Sequence, residues 1–291
     1  MADIRTNIFG IGEVYELQKE GQWVERNRES YREFGYFAGG NDGVVGSSYS
    51  GVNRIDFSND TATSNSRAIL AIEGRYLSGV NNKNYGYMSG ESNLGLFNKF
   101  NFANETSTSI GYLVPGTNIG YTGNLSNPNF GYFCGGDYTV PGATSTVRRI
   151  NFSNDTALLS NRGNQTQNRN LCAGAGNSNF GYSVGGSTTS SQGQAVSTVD
   201  RIDYSNDLVT ASVRGPLSNV DLTIAATSSA SFGGAKNSAF ASNLTFPTVP
   251  NAGYFGGGTD GTNSLATIDK VDYANDTATA SVRSSLSSAK I

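Results

Sequence analysis

Histidine is absent from the 291 residues. A chain without imidazole has no Ser–His–Asp or Cys–His relay, no histidine metal ligand and no imidazole proton shuttle. Most hydrolase mechanisms are excluded with it, as is a copper oxidase on histidine ligands. Cysteine is almost absent. Cys134 and Cys172 match no CxxC or zinc spacing, and two thiols in so long a chain make no disulfide framework. Both read as small buried hydrophobes. Basic residues are outnumbered by acidic ones, 20 to 23, for a net charge of −3, which argues against the basic face that nucleic-acid binding needs. No apolar run approaches the roughly 20 residues of a membrane helix. The stretch MADIRTNIFGIGEVYELQKEG lacks the basic head and apolar run of a secretory signal, so synthesis in a cytoplasm without membrane insertion is expected. Methionine (2) and proline (6) are scarce and charged residues reach only 15%.

What is abundant is glycine (37), tyrosine (15), phenylalanine (15), and the small polar residues Ser, Thr and Asn. β-formers and aromatics set among turn residues point to an all-β domain with many tight turns. Turn chemistry also accounts for the sequons Asn59-Asp60-Thr61 and Asn275-Asp276-Thr277 better than glycosylation does.

Internal repeats organise the chain. GYFAGG starts at Gly35, GYMSGE at Gly86, GYFCGG at Gly131, GYSVGG at Gly181 and GYFGGG at Gly253, spacings of 51, 45, 50 and 72 residues. Downstream of each lies a second block: RIDFSND from Arg54, KFNFANE from Lys99, RINFSND from Arg149, RIDYSND from Arg201 and KVDYAND from Lys270. The second block alternates by two, placing Ile55/Phe57, Phe100/Phe102, Ile150/Phe152, Ile202/Tyr204 and Val271/Tyr273 on one face of a strand, with the charged residues opposite. Ser-Asn-Asp is a turn cluster that closes a hairpin. Segments AILAIEG from Ala68, LCAGAGN from Leu171 and LTIAATS from Leu222 supply a fourth strand.

In four repeats an arginine follows the last acid by seven positions. Asp60 with Arg67, Asp155 with Arg162, Asp207 with Arg214 and Asp276 with Arg283 are the expected repeat ion pairs, whereas repeat two has Glu105 and Tyr112. The DxSND oxygens could also hold calcium. Asn101 and Glu105 in repeat two and Asn151 in repeat three break that ligand set. A turn with a salt bridge is therefore expected, with no metal and no cofactor.

A period near 50 with a paired glycine resembles the kelch repeat over residues 31–291, although the tryptophan usual in the last kelch strand is missing. The resemblance implies a five-bladed β-propeller, with the glycine-flanked GYF strand near the axis. The long fourth spacing places an insertion of about 20 residues at 235–252, with Pro247 and Pro250. Residues 1–30 belong to no repeat. Ile8, Phe9, Val14, Tyr15, Leu17, Trp23 and Val24 give this segment apolar anchors, and it reads as a docking element. No strand of the LCAGAGN type precedes the first GYF strand, so something within Gly21–Ser30, or a neighbouring molecule, is expected to close the ring.

STVDRIDYSND at Ser197–Asp207, ASVRGPLS at Ala211–Ser218 and NDTATASVR at Asn275–Arg283 are similar to repeats of virion structural proteins of tailed phages that infect cyanobacteria. The resemblance implies a non-enzymatic, tail- or fibre-associated virion protein, present in several copies or as a homo-oligomer. It would contact other virion proteins through the N-terminal segment and host-surface glycans through the propeller. A kelch adaptor outside a virion, binding protein or carbohydrate, is the alternative. A glycan-active enzyme is a weaker one, because its two facing carboxylates would stand apart from the repeat, whereas the acids here recur with it.

Overall fold

A computed structural model describes residues 34–40, 48–56, 59, 61–90, 95–114, 117, 119–136, 142–189, 194–222, 225–228 and 251–290. They form five antiparallel sheets and no α-helix, arranged as a five-bladed β-propeller. The first sheet runs β1 (Phe34–Ala38), β2 (Tyr49–Asp56), β3 (Asn65–Gly74). The second is β4 (Ser78–Asn81), β5 (Tyr85–Ser89), β6 (Leu96–Asn101), β7 (Thr106–Tyr112). The third is β8 (Gly123–Ser126), β9 (Phe130–Cys134), β10 (Val147–Asn151), β11 (Ser160–Asn161). The fourth is β12 (Ala173–Gly176), β13 (Phe180–Val184), β14 (Val199–Asp203), β15 (Ser212–Val213). The fifth is β16 (Ala225–Ser228), β17 (Ala252–Gly256), β18 (Leu265–Asp272), β19 (Ser281–Lys290). Each sheet is a meander whose strands pair in chain order.

The strands β4, β8, β12 and β16 are neighbours across successive sheets and converge at the axis. Their sequences, SGVN, GNLS, AGAG and AATS, are mostly Gly, Ala and Ser, as the crowded centre requires. This moves the GYF strand from the expected axial place to the second. It also reassigns the expected fourth strands. LCAGAGN and LTIAATS open the next blade, and AILAIEG forms much of β3, the outermost strand of the first. Among the described residues the first sheet has three strands. Residues 1–33, with the docking candidates and the closing segment, lie outside the described residues, as do residues 229–250, which include most of the 235–252 insertion.

The glycine that opens GYF is fixed by packing. A methyl group on Gly131 would stand 2.4 Å from Val80 Cγ2, and one on Gly181 would stand 2.6 Å from Leu125 Cδ1. The following diglycines have positive φ, as Gly135 (70°) and Gly136 (83°) do, a conformation that costs side-chain-bearing residues energy. The second amide of the pair then donates to the linker leading to the next blade: Gly40 to the Gly74 carbonyl (2.9 Å), Gly136 to Arg169 (2.9 Å) and Gly186 to Asp221 (2.7 Å).

At the opposite end, asparagine and aspartate build the turns. Asn82, Asn127 and Asn177 each accept from the amides two and three residues on, between the first and second strands of their sheets. Asn101, Asn151, Asp203 and Asp272 do the same two residues on, which explains why Asp and Asn interchange there.

Candidate functional site

The repeated polar residues meet in the seams between blades. In the four seams described, the acid that ends the turn faces backwards, into the preceding blade, and there accepts the tyrosine hydroxyl of the GYF strand. Tyr36 donates to Glu105 (3.0 Å), Tyr87 to Asp155 (2.7 Å), Tyr132 to Asp207 (2.9 Å) and Tyr182 to Asp276 (2.8 Å). The same acid binds the basic residue of the preceding third strand: Arg54 to Glu105 (2.7 Å), Lys99 to Asp155 (2.5 Å), Arg149 to Asp207 (2.7 Å) and Arg201 to Asp276 (2.8 Å). Each tyrosine ring also lies against the aromatic ahead of it, Tyr132 on Tyr204 at 5.1 Å and Tyr182 on Tyr273 at 4.6 Å. Burial, and the carboxylate beside each hydroxyl, push Tyr87, Tyr132 and Tyr182 above the usual phenol range, so they remain neutral donors.

Two of the expected ion pairs, Asp155 with Arg162 and Asp207 with Arg214, are corrected by this geometry. Arg67 lies 3.7 Å from Glu105, Arg162 lies 3.6 Å from Asp207 and Arg214 lies 3.5 Å from Asp276, so each pair joins consecutive repeats. Arg162 does not meet Asp155, nor Arg214 Asp207, because one repeat sends its acid backwards and its arginine forwards. Asp60 lies outside the described residues, and Arg283 is exposed on β19. Asp203, Asp207, Asp272 and Asp276, among the oxygens suggested for calcium, are engaged in turns and seams. Cys134 and Cys172 are buried, with burial pushing both thiols up.

Two seam features have no counterpart in the repeat pattern. Arg169, in the linker before β12, is fully buried beside Asp200 (2.7 Å), which is equally buried. It also donates to Gln165 Oε1 (2.8 Å) and to the carbonyls of Gly185 (2.7 Å), Thr198 (3.1 Å) and Ser183 (3.3 Å). The equivalent place before β16 holds Asp221, buried, with one carboxylate oxygen unpartnered. Burial pushes Asp221 up to about 7, aided by the charges of Asp269 and Asp260 and opposed by amide hydrogen bonds from Leu222 and Thr259.

The linkers also carry the most unusual backbone. Two residues before the axial strand stand Tyr76 (φ 50°), Tyr121 (φ 60°) and Leu171 (φ 54°). The axial strands start beside the ends of the GYF strands (Gly123 opposite Cys134, Ala173 opposite Val184), so these residues lie at the diglycine end of the propeller. The Tyr76 and Tyr121 rings stack at 4.6 Å and 25°. Tyr76 is 47% exposed, and the Arg75 guanidinium carbon is 5.8 Å from its ring. A bulky residue in the left-handed region costs about 1–2 kcal/mol, so the two tyrosines together cost about 2–4 kcal/mol by the same measure. An aromatic pair contributes about 0.5–1.5 kcal/mol. The stack alone therefore does not offset the strain, and strained residues of this kind cluster at binding sites. Sequence reading missed this pair because the two rings come from different linkers and neither belongs to a repeated motif.

No family model matches the chain, and no curated protein matches it. Among solved structures, the one titled "Structure of YjhT" is similar over 87% of this chain and 81% of that one, with a TM-score of 0.63 and 10% sequence identity. At that identity the likeness concerns the fold alone. It lends no support to the kelch or phage assignments.

Proposed function

We propose that this chain is a contact module of a tailed-phage particle, docked through its N-terminal segment and presenting the propeller to neighbouring proteins or to a host surface. The observation that supports a contact role is the use of the repeated polar residues. In the four seams described, tyrosine, a basic residue and a carboxylate of the motifs are spent on holding one blade to the next, as in Tyr132, Arg149 and Asp207. Chemistry repeated from seam to described seam serves the scaffold, which leaves the ends of the ring to vary and bind. The phage setting rests on the repeat wording, RIDYSND and ASVRGPLS above all.

Deleting residues 1–24 tests the docking half of the proposal. The truncated chain is expected to keep the β circular dichroism of the full chain and to be missing from purified particles by immunoblot and immunogold microscopy. Incorporation at the full-length level would overturn docking through this segment, and absence of the full-length chain from particles would overturn the virion assignment.

A further inference from the structure

We propose that Asp221, in the linker before β16, and Asp269, on β18, form a calcium site in the place that Arg169 fills one sheet earlier. Four residues before β8, β12 and β16 stand Ile119, Arg169 and Asp221, all buried. The last two share a backbone seat, because Gly136 donates to the Arg169 carbonyl and Gly186 to that of Asp221. Register extends the match to their surroundings. Ser183 pairs with Asp200, and Phe255 with Asp269. The two acids are held alike, Asp200 by the amide and hydroxyl of Thr166, and Asp269 by those of Ser218. Thr166 and Ser218 each stand three residues before the position that changes from arginine to aspartate.

That change removes a cation and adds an acid. Arg169 and Asp200 cancel, whereas Asp221 and Asp269, 7% and 5% exposed, bring two carboxylates together out of water. Among the described residues no basic side chain pairs with either. Buried carboxylates call for a counter-charge, and a divalent ion restores the neutrality that the arginine gives its own seam. One oxygen of Asp221, Oδ1, is buried without a partner, against the diglycine turn, where a methyl group on Gly258 would stand 2.2 Å away. The Arg169 head is met at this point by the carbonyls of Ser183, Gly185 and Thr198, and Phe255, Gly257 and Thr267 hold those register positions beside Asp221. No three acid side chains converge among the described residues, so carbonyls and water must complete the shell. Mixed carboxylate, carbonyl and water oxygens in a flexible shell suit calcium, whereas magnesium demands a tight octahedron.

The experiment strips the full chain with EDTA, removes the chelator and titrates calcium chloride by calorimetry, with urea unfolding in parallel. Millimolar calcium is expected to bind and to raise the unfolding midpoint of the parent, and Asp221→Asn to weaken binding at least tenfold. In EDTA that variant should unfold at the same urea concentration as the parent or higher, which separates lost binding from lost folding. Asp203→Asn tests the turn acids as a rival source of binding. Asparagine fills the same turn as Asn151, so this variant should fold and bind calcium as the parent does. The proposal is overturned if millimolar calcium neither binds nor moves the midpoint, or if Asp221→Asn binds as the parent does. It is equally overturned if Asp203→Asn weakens binding as much as Asp221→Asn, or if magnesium at the same concentration gives the same shift. None of these results depends on the phage setting.

Discussion

Replacing Asp207 by alanine should cost about 3 kcal/mol, at the lower end of the 3–5 kcal/mol expected when one partner of a buried ion pair is removed. Its carboxylate is 8% exposed and accepts from Tyr132 (2.9 Å) and Arg149 (2.7 Å), with Arg162 at 3.6 Å. The two guanidinium groups left behind are 19% and 16% exposed, so water repays part of the loss. Tyr132→Phe keeps the ring stack on Tyr204 and removes one hydrogen bond to a charged acceptor, worth about 1.5 kcal/mol. Both changes act on one network, so their effects should fall short of additive by about 1 kcal/mol. The decisive comparison uses two double-mutant cycles read by urea unfolding and circular dichroism. Arg162→Ala should couple to Asp207→Ala and be additive with Asp155→Ala. Coupling of Arg162 to Asp155, or a cost below about 1 kcal/mol for Asp207→Ala, would refute the seam account.

Asp221 is expected to make stability depend on pH between about 4 and 7. Its folded pKa, about 7, lies above the ordinary carboxylate value, so the folded state holds the proton longer and stability falls as pH rises through that window. Asp221→Asn should remove this slope and stabilise the protein at pH 8 by up to about 4 kcal/mol, measured by urea unfolding at several pH values; an unchanged slope would refute it. Gly131→Ala would drive a methyl group to 2.4 Å from Val80 Cγ2, and a loss of about 1–3 kcal/mol is expected. The melting temperature reports it, and an unchanged value would show that Val80 can yield.

The propeller was legible in the sequence because the diglycine and the RIDYSND block repeat with each blade. Phase within the repeat was less legible. LCAGAGN follows one RIDYSND-type block and precedes the next GYF, and spacing alone does not say which sheet β12 joins; pairing of Ala173 with Val184 decides it. Arg162 and Arg214 were right in kind and wrong in partner, because seven positions along the chain is a shorter path than the one across a seam. The Tyr76–Tyr121 stack and the Arg169–Asp200 pair were illegible for a different reason. Each depends on residues brought together by ring geometry at positions that other repeats fill with something else, such as Leu171 for Tyr121 and Asp221 for Arg169. The terminal docking segment lies outside the described residues and stays an expectation of the sequence.

The one-way orientation of the seams has a consequence for how such a chain can grow. In each of the four seams described, one blade presents a phenol with a cation and the next a carboxylate, like tiles cut with one tongue and one groove. One repeat can therefore be exchanged in frame for another with these three seam groups still matched, whereas adding or losing a whole repeat would have to re-close the ring. A cut made within a repeat would instead strand a cation from its acid.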